Sequence, residues 1–294
     1  MPRIFILGWI LKLSRRWAAC QAFVCRILAA ALLLNACACR DMTAAATSTA
    51  LHSGFSTNIV QGTSYQHVTF VRTTSAPGPL YVFIEGDGSP WSRGGTRVSD
   101  DPTPHHPLAL TLAAQTPASI MYLGRPCYFQ ARGDAACRPS AWTSERYSEQ
   151  IVASMAAVIN RHVAANASHG VVLIGYSGGG VLAVLIAPLV QASAVITIAA
   201  NLDVEAWARW HRYTPLNGSL NPAAQAPLNG PREWHLVGDR DTVVPPRLSQ
   251  RYLDRLTPEH VWHYPSFDHV CCWEQQWPGI FARIQAAIRE NDSN

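Results

Sequence analysis

The sequence predicts an α/β protein: a mainly parallel central sheet with helices on both faces. Three observations carry this. Residues 80–84 (LYVFI), 171–174 (VVLI) and 194–199 (AVITIA) are continuous apolar runs too short for helices, as expected of strands buried on both faces. Longer segments with helical spacing alternate with them, and such crossovers are what a parallel sheet needs. One of these strands runs through Gly175-Tyr176-Ser177-Gly178-Gly179 directly into a small apolar run, residues 181–190, that reads as a helix.

The chain has 294 residues, enough for one large α/β domain or two small ones. Its formal charge of +4 is misleading. Residues 1–36 carry Arg3, Lys12, Arg15, Arg16 and Arg26 and no acid, which leaves 18 basic against 19 acidic residues from Cys37 onward. The folded part is therefore near neutral, and no basic stripe points to nucleic acid.

Residues 27–36 (ILAAALLLNA) form a short apolar core between Arg26 and Cys37. That order is the pattern of a secretory signal peptide, assigned here to residues 1–36. The LNAC ending resembles the lipobox of bacterial lipoproteins, with Asn35 departing from the usual small residue, and makes Cys37 a lipidation candidate. An uncleaved anchor is the alternative, although the run is short for a membrane span. These readings predict an exported, envelope-located protein, lipid-anchored to a membrane. Residues 37–57 are small and polar without a period, and read as a flexible tether. The folded domain is then residues 58–294.

Along that domain, residues 67–72 alternate and read as an early strand near the sheet edge. Residues 80–84 end in Glu85-Gly86-Asp87-Gly88, and a Ser/Pro/Gly loop follows. Residues 107–115 read as a helix with proline in its first turn, and 119–123 as the next strand. His105 and His106 are adjacent, so they point apart and read as a loop pair, not a metal site. Residues 124–141 are irregular and contain Cys127 and Cys137, which in an exported chain read as a local disulfide. Thr143 or Ser144 is the expected cap of a long helix over 145–165. Residues 201–231 form a long connection with Trp207, Trp210 and Tyr213, unusual unless functional. Strands at 234–237 and 260–264 and an amphipathic helix over 273–290 close the chain.

The chemistry centres on Gly175–Gly179, a G-x-S-x-G pattern between strand and helix. A serine in so sharp a turn is strained, and the flanking glycines remove the collisions a side chain would make. Such a serine stands off the sheet edge at a helix start, where an oxyanion can be stabilised. A serine hydroxyl needs a base, a histidine supplies one near neutral pH, and a carboxylate orients that histidine. Asp241 follows a strand in a G-x-x-D-x-x-V-P pattern, and His269 follows the last strand.

These pieces, in the chain order Ser177, Asp241, His269, resemble the α/β-hydrolase superfamily over about residues 65–290, and more finely exported bacterial serine hydrolases and esterases in which the patterns GRPC, WTSERYS and DHVCCW recur. The resemblance implies Ser177 as nucleophile, His269 as base and Asp241 as acid. It also implies an oxyanion hole from the backbone of Gly178 and Asp87, with Glu85-Gly86-Asp87 standing where the family usually has His-Gly-x. Residues 201–231 occupy the place of the family's cap. No cofactor or metal is implied.

Asp239 and Asp203 remain alternative acids, while His235 and His263 read as strand histidines. Cys271 and Cys272 read as a vicinal disulfide or as partners of other cysteines, and either arrangement would hold the histidine loop. The expected function is hydrolysis of carboxylic esters through an acyl-enzyme on Ser177. A peptidase, amidase or thioesterase would use the same triad, and a non-catalytic exported binding lipoprotein is the alternative of another class.

Overall fold

A computed structural model describes residues 42–129, 134–166 and 170–292. The chain divides into a unit of residues 1–45 and a unit of residues 46–294. Residues 1–41 lie outside the described part, and with them the segment expected to be a signal peptide and the lipidation candidate Cys37. Among the described residues, no helix is long and apolar enough to cross a membrane.

An eight-stranded sheet dominates the larger unit. Its strands are β1 (Ser56–Gln61), β2 (Gln66–Arg72), β3 (Leu80–Ile84), β6 (Ile120–Leu123), β7 (Val171–Tyr176), β8 (Ala194–Ile198), β9 (Arg232–Gly238) and β10 (Val261–Tyr264). Two short strands, β4 (Trp91–Ser92) and β5 (Arg97–Val98), pair separately within the loop after β3. The order across the sheet is β1-β2-β6-β3-β7-β8-β9-β10. β2 is antiparallel to both β1 and β6, and every other pairing is parallel. β3, β6, β7 and β8 are buried along their whole length, which explains their unbroken apolar sequence.

The helices are α1 (Met42–His52), α2 (Leu108–Gln115), α3 (Glu149–Asn166), α4 (Gly178–Ile186), α5 (Val204–Trp210), α6 (Gln250–Leu253) and α7 (Trp273–Asp292). α2 packs on α7, and α3 on α4. Trp277 anchors the first pair, donating its indole N–H to Thr116 Oγ1 at 2.8 Å. From β3 the chain crosses to β6 on one side, then returns to β7 on the other. Such a reversal opens a crevice at the carboxyl ends of the strands, here above β3 and β7.

Four expectations change. The tether contains a helix, α1, because its alanine-rich sequence has high helix propensity, and Ala46 and Ala50 are buried. The edge strand β1 begins inside the stretch read as tether; it is almost wholly exposed, so it lacks the apolar alternation that marks a half-buried strand. The long helix starts at Glu149, not 145. Its cap is Ser148, whose Oγ accepts from Ile151 N at 3.4 Å, while residues 139–142 form a separate 3-10 turn. Residues 201–231 contain α5 and a 3-10 turn at Pro222–Ala224.

Candidate active site

Ser177 lies between β7 and α4 with φ 52° and ψ −123°, a left-handed conformation that costs a serine energy. Its N–H is tied to Ile198 O at 2.8 Å, which fixes the turn to the neighbouring strand. A Cβ on Gly175 would run into the Gly179 carbonyl, so the strand can lie this close to the helix only with glycine there.

Asp241 and His269 come from the loops after β9 and β10. His269 Nδ1 lies 2.8 Å from Asp241 Oδ2. An ionised carboxylate only accepts, so Nδ1 carries the proton and Nε2 presents its lone pair. Asp241 is buried, and its Oδ1 accepts from Val243 N at 2.8 Å and Val244 N at 2.7 Å. The histidine loop is braced by Asp268, which accepts from Cys271 N and Val270 N at 2.7 and 2.8 Å. Those two bonds, the Cys271 one first, lower the Asp268 pKa. The sulfurs of Cys271 and Cys272 are joined to each other, and so are those of Cys127 and Cys137, whose Cα atoms are 5.6 Å apart.

The rival acids are occupied elsewhere. Asp239 Oδ1 meets His263 Nδ1 at 2.7 Å on the exposed face of β10. Asp203 caps α5, accepting from Ala206 N at 3.1 Å and from Asn221 Nδ2 at 3.0 Å. His235 is buried between Thr197 and Glu233. His105 and His106 are exposed loop residues.

The loop after β3 packs directly under the serine turn. A Cβ on Gly86 would approach Ser177 Cβ to 3.3 Å, and one on Gly178 would collide with the Asp87 carboxylate and the Tyr147 hydroxyl. Gly178 is the first residue of α4, so its N–H has no partner within the helix. The Asp87 N–H donates to no group among the described residues. Glu85, at the place of the family's histidine, turns away to α2. It accepts from Ala109 N at 3.1 Å, Gly86 N at 3.2 Å and the Tyr122 hydroxyl at 3.3 Å. Burial nevertheless pushes its carboxyl up to about 7.

Sequence reasoning missed the groups around Asp87. Its carboxylate takes Arg125 Nη1 at 2.6 Å, Arg146 Nη1 at 2.7 Å and the Tyr147 hydroxyl at 2.7 and 2.8 Å. Burial disfavours the charge, but Arg146 and then Arg125 outweigh it and hold the carboxyl well below the usual range. The visible signal was in the patterns GRPC and WTSERYS, which place these two arginines in otherwise irregular chain.

Residues of the connection after β8 lie beside the acid loop. Trp207 donates its indole N–H to Val243 O at 2.9 Å, and His211 Nε2 meets the same oxygen at 2.7 Å. Trp207, His211 and Tyr213 form one aromatic cluster, with Trp210 and Tyr213 more than half exposed.

No protein-family profile and no curated protein matches this sequence. Solved structures do match. An esterase from Pyrococcus furiosus aligns at TM-score 0.57 and 12% identity, covering 82% of this chain and 92% of its own. An alpha-beta serine hydrolase homologue from Coxiella burnetii aligns at 0.51 and 13%, covering 80% and 96%. A bacterial membrane phospholipase A aligns at 0.52 and 19%, covering 99% of both chains. With the sheet order and the crossovers described above, these likenesses define the fold as that of the α/β-hydrolases.

Proposed function

We propose that this protein is a serine hydrolase that cleaves carboxylic esters, with Ser177 as nucleophile, His269 as general base and Asp241 as the acid that orients it. One observation carries the reading: a serine in a strained left-handed turn between strand and helix, on the same sheet edge as His269 paired with a buried Asp241. The reaction follows from these groups. Ser177 Oγ attacks the ester carbonyl carbon as its proton passes to His269 Nε2. The carbonyl π pair moves to oxygen, and the Asp87 and Gly178 N–H groups stabilise that oxyanion. Collapse breaks the bond to the leaving alkoxide, which takes the proton from His269. Water then repeats the sequence and frees the acid and Ser177. No cofactor enters these steps.

An esterase and a phospholipase stand among the structural neighbours, in keeping with an ester and a small acyl substrate, and prolyl endopeptidases, which cut amides, share the fold at TM-score 0.54. The two joined cysteine pairs support an oxidising compartment, in keeping with export and anchoring through a lipid on Cys37. A fluorophosphonate probe tests the class: wild type should be labelled at Ser177 and Ser177→Ala should not. A panel of p-nitrophenyl esters of increasing chain length, with a p-nitroanilide control, tests the bond. Folded wild type that remains unlabelled removes the enzyme reading and favours a binding protein.

A further inference from the structure

Arg125 and Arg146 come from the irregular chain between β6 and α3, and neither belongs to the triad. Both are almost fully buried, with side chains 1% and 6% exposed. Burying guanidinium groups is costly, so their placement has to be explained. Each gives one Nη1 donor to a different oxygen of Asp87. One further donor of each goes to backbone: Arg125 Nη2 to Arg146 O at 3.2 Å and Arg146 Nε to Thr143 O at 2.6 Å. The Tyr147 hydroxyl bridges both oxygens of Asp87, and the Tyr128 hydroxyl donates to Asp87 O at 2.7 Å. Asp87 is thus clamped through its side chain and its carbonyl, while its N–H meets no acceptor among the described residues. The clamp also touches the second donor, since the Asp87 carboxylate and the Tyr147 hydroxyl fill the space where Gly178 lacks a side chain.

The charges do not balance. Two guanidinium groups face one carboxylate, so the cluster carries one surplus positive charge. Glu145 adjoins Arg146 but is part-exposed and pairs with Arg138 at 4.0 Å, and Glu85, two residues from Asp87, has its carboxyl pushed up to about 7 by burial, so neither fully cancels that surplus at neutral pH. A buried charge of this sign, preorganised beside a developing oxyanion, favours the transition state over the ground state.

Resting on the hydrolase reading, we infer that Arg125, Arg146, Tyr147 and the Asp87 side chain form a positioning cluster that sets the two oxyanion-hole amides and backs them with one uncompensated positive charge. These are positioning residues: they act through the amides of Asp87 and Gly178 and do not touch substrate.

The test uses the full chain and the variants Arg146→Gln, Arg146→Lys and Tyr147→Phe. Two readouts are needed, kcat and KM on a short p-nitrophenyl ester and the Ki of a trifluoromethyl ketone analogue. That ketone adds Ser177 Oγ reversibly and leaves an oxyanion in the hole. Arg146→Gln should lower kcat about tenfold to a hundredfold, with KM within about threefold, and raise Ki by the same factor. Arg146→Lys keeps the charge and should recover most of both losses. Tyr147→Phe should lose about threefold in each. Wild-type kcat and Ki in the folded variants, or a loss confined to KM, would overturn the inference. If Arg146→Gln does not fold, an unchanged Ki in Tyr147→Phe overturns it alone. A wild type unlabelled by fluorophosphonate sinks the hydrolase reading and this inference together, whereas a labelled wild type with unaffected variants sinks only the cluster.

Discussion

Tyr176 and His269 are joined twice: the Tyr176 hydroxyl donates to His269 O at 3.1 Å, and the two rings pack with centroids 5.2 Å apart. The residue just before the proposed nucleophile therefore holds the backbone of the loop that carries the proposed base. Tyr176→Phe keeps the ring and removes the hydroxyl. A hydrogen bond of this kind contributes about 1 kcal/mol, so kcat should fall about fivefold if the whole effect reaches the transition state. Steady-state kinetics on a soluble ester, with a melting curve as control, decides it. An unchanged kcat would show that the histidine loop keeps its place without this tether.

The choice between two aspartates two residues apart can be settled by asparagine scanning. Asp241→Asn leaves the shape but allows the wrong tautomer of His269, and kcat should drop by a factor of about a thousand or more. Asp239→Asn breaks only an exposed pair with His263 and should stay within about twofold. Equal losses in the two variants would contradict the assignment of Asp241.

Removing the Ser177 hydroxyl separates chemistry from folding. Ser177→Ala should melt close to wild type, since alanine meets the same backbone strain, while turnover falls by about a thousandfold or more. Comparable residual turnover in the variant would take the reaction away from Ser177.

Stability should vary with pH through Glu85. Its carboxyl ionises near 4.3 in an unfolded chain but is pushed up to about 7 in the fold. The folded state therefore holds this proton more tightly. The contribution is fully present below the unfolded pKa and is lost as pH rises through 7. Glu85→Gln cannot ionise, so its melting temperature should decline less between pH 5 and pH 8 than that of wild type. Parallel melting curves for both proteins across that range would exclude Glu85 as the cause.

The Cys127–Cys137 bridge closes a short loop on the chain that bears Arg125. Chain-entropy reasoning gives such a bridge about 2–3 kcal/mol. Cys127→Ser with Cys137→Ser should therefore melt several degrees lower than oxidised wild type, and reductant should then produce a smaller further shift. A double variant as stable as oxidised wild type would show that the loop is ordered without its bridge.

The sequence by itself determined the strand series, the helices between them and the strand–turn–helix at Ser177. These are local matters: unbroken apolar runs, helical spacing, and glycines where a turn admits nothing larger. It also narrowed the acid to a few aspartates at strand ends. It could not register β1, whose side chains face solvent, nor the helix over Met42–His52, whose alanines serve a tether or a helix equally well. Spacing in the chain favours Asp241 over Asp239 and Asp203, but which of the three meets His269 belongs to tertiary structure, because a carboxylate's partner is the one that reaches it through space. The same holds for Arg125 and Arg146. In the chain they are 21 residues apart and look like ordinary surface charges, and only the folding of both segments against β3 brings them onto Asp87, with Arg125 Nη2 reaching Arg146 O.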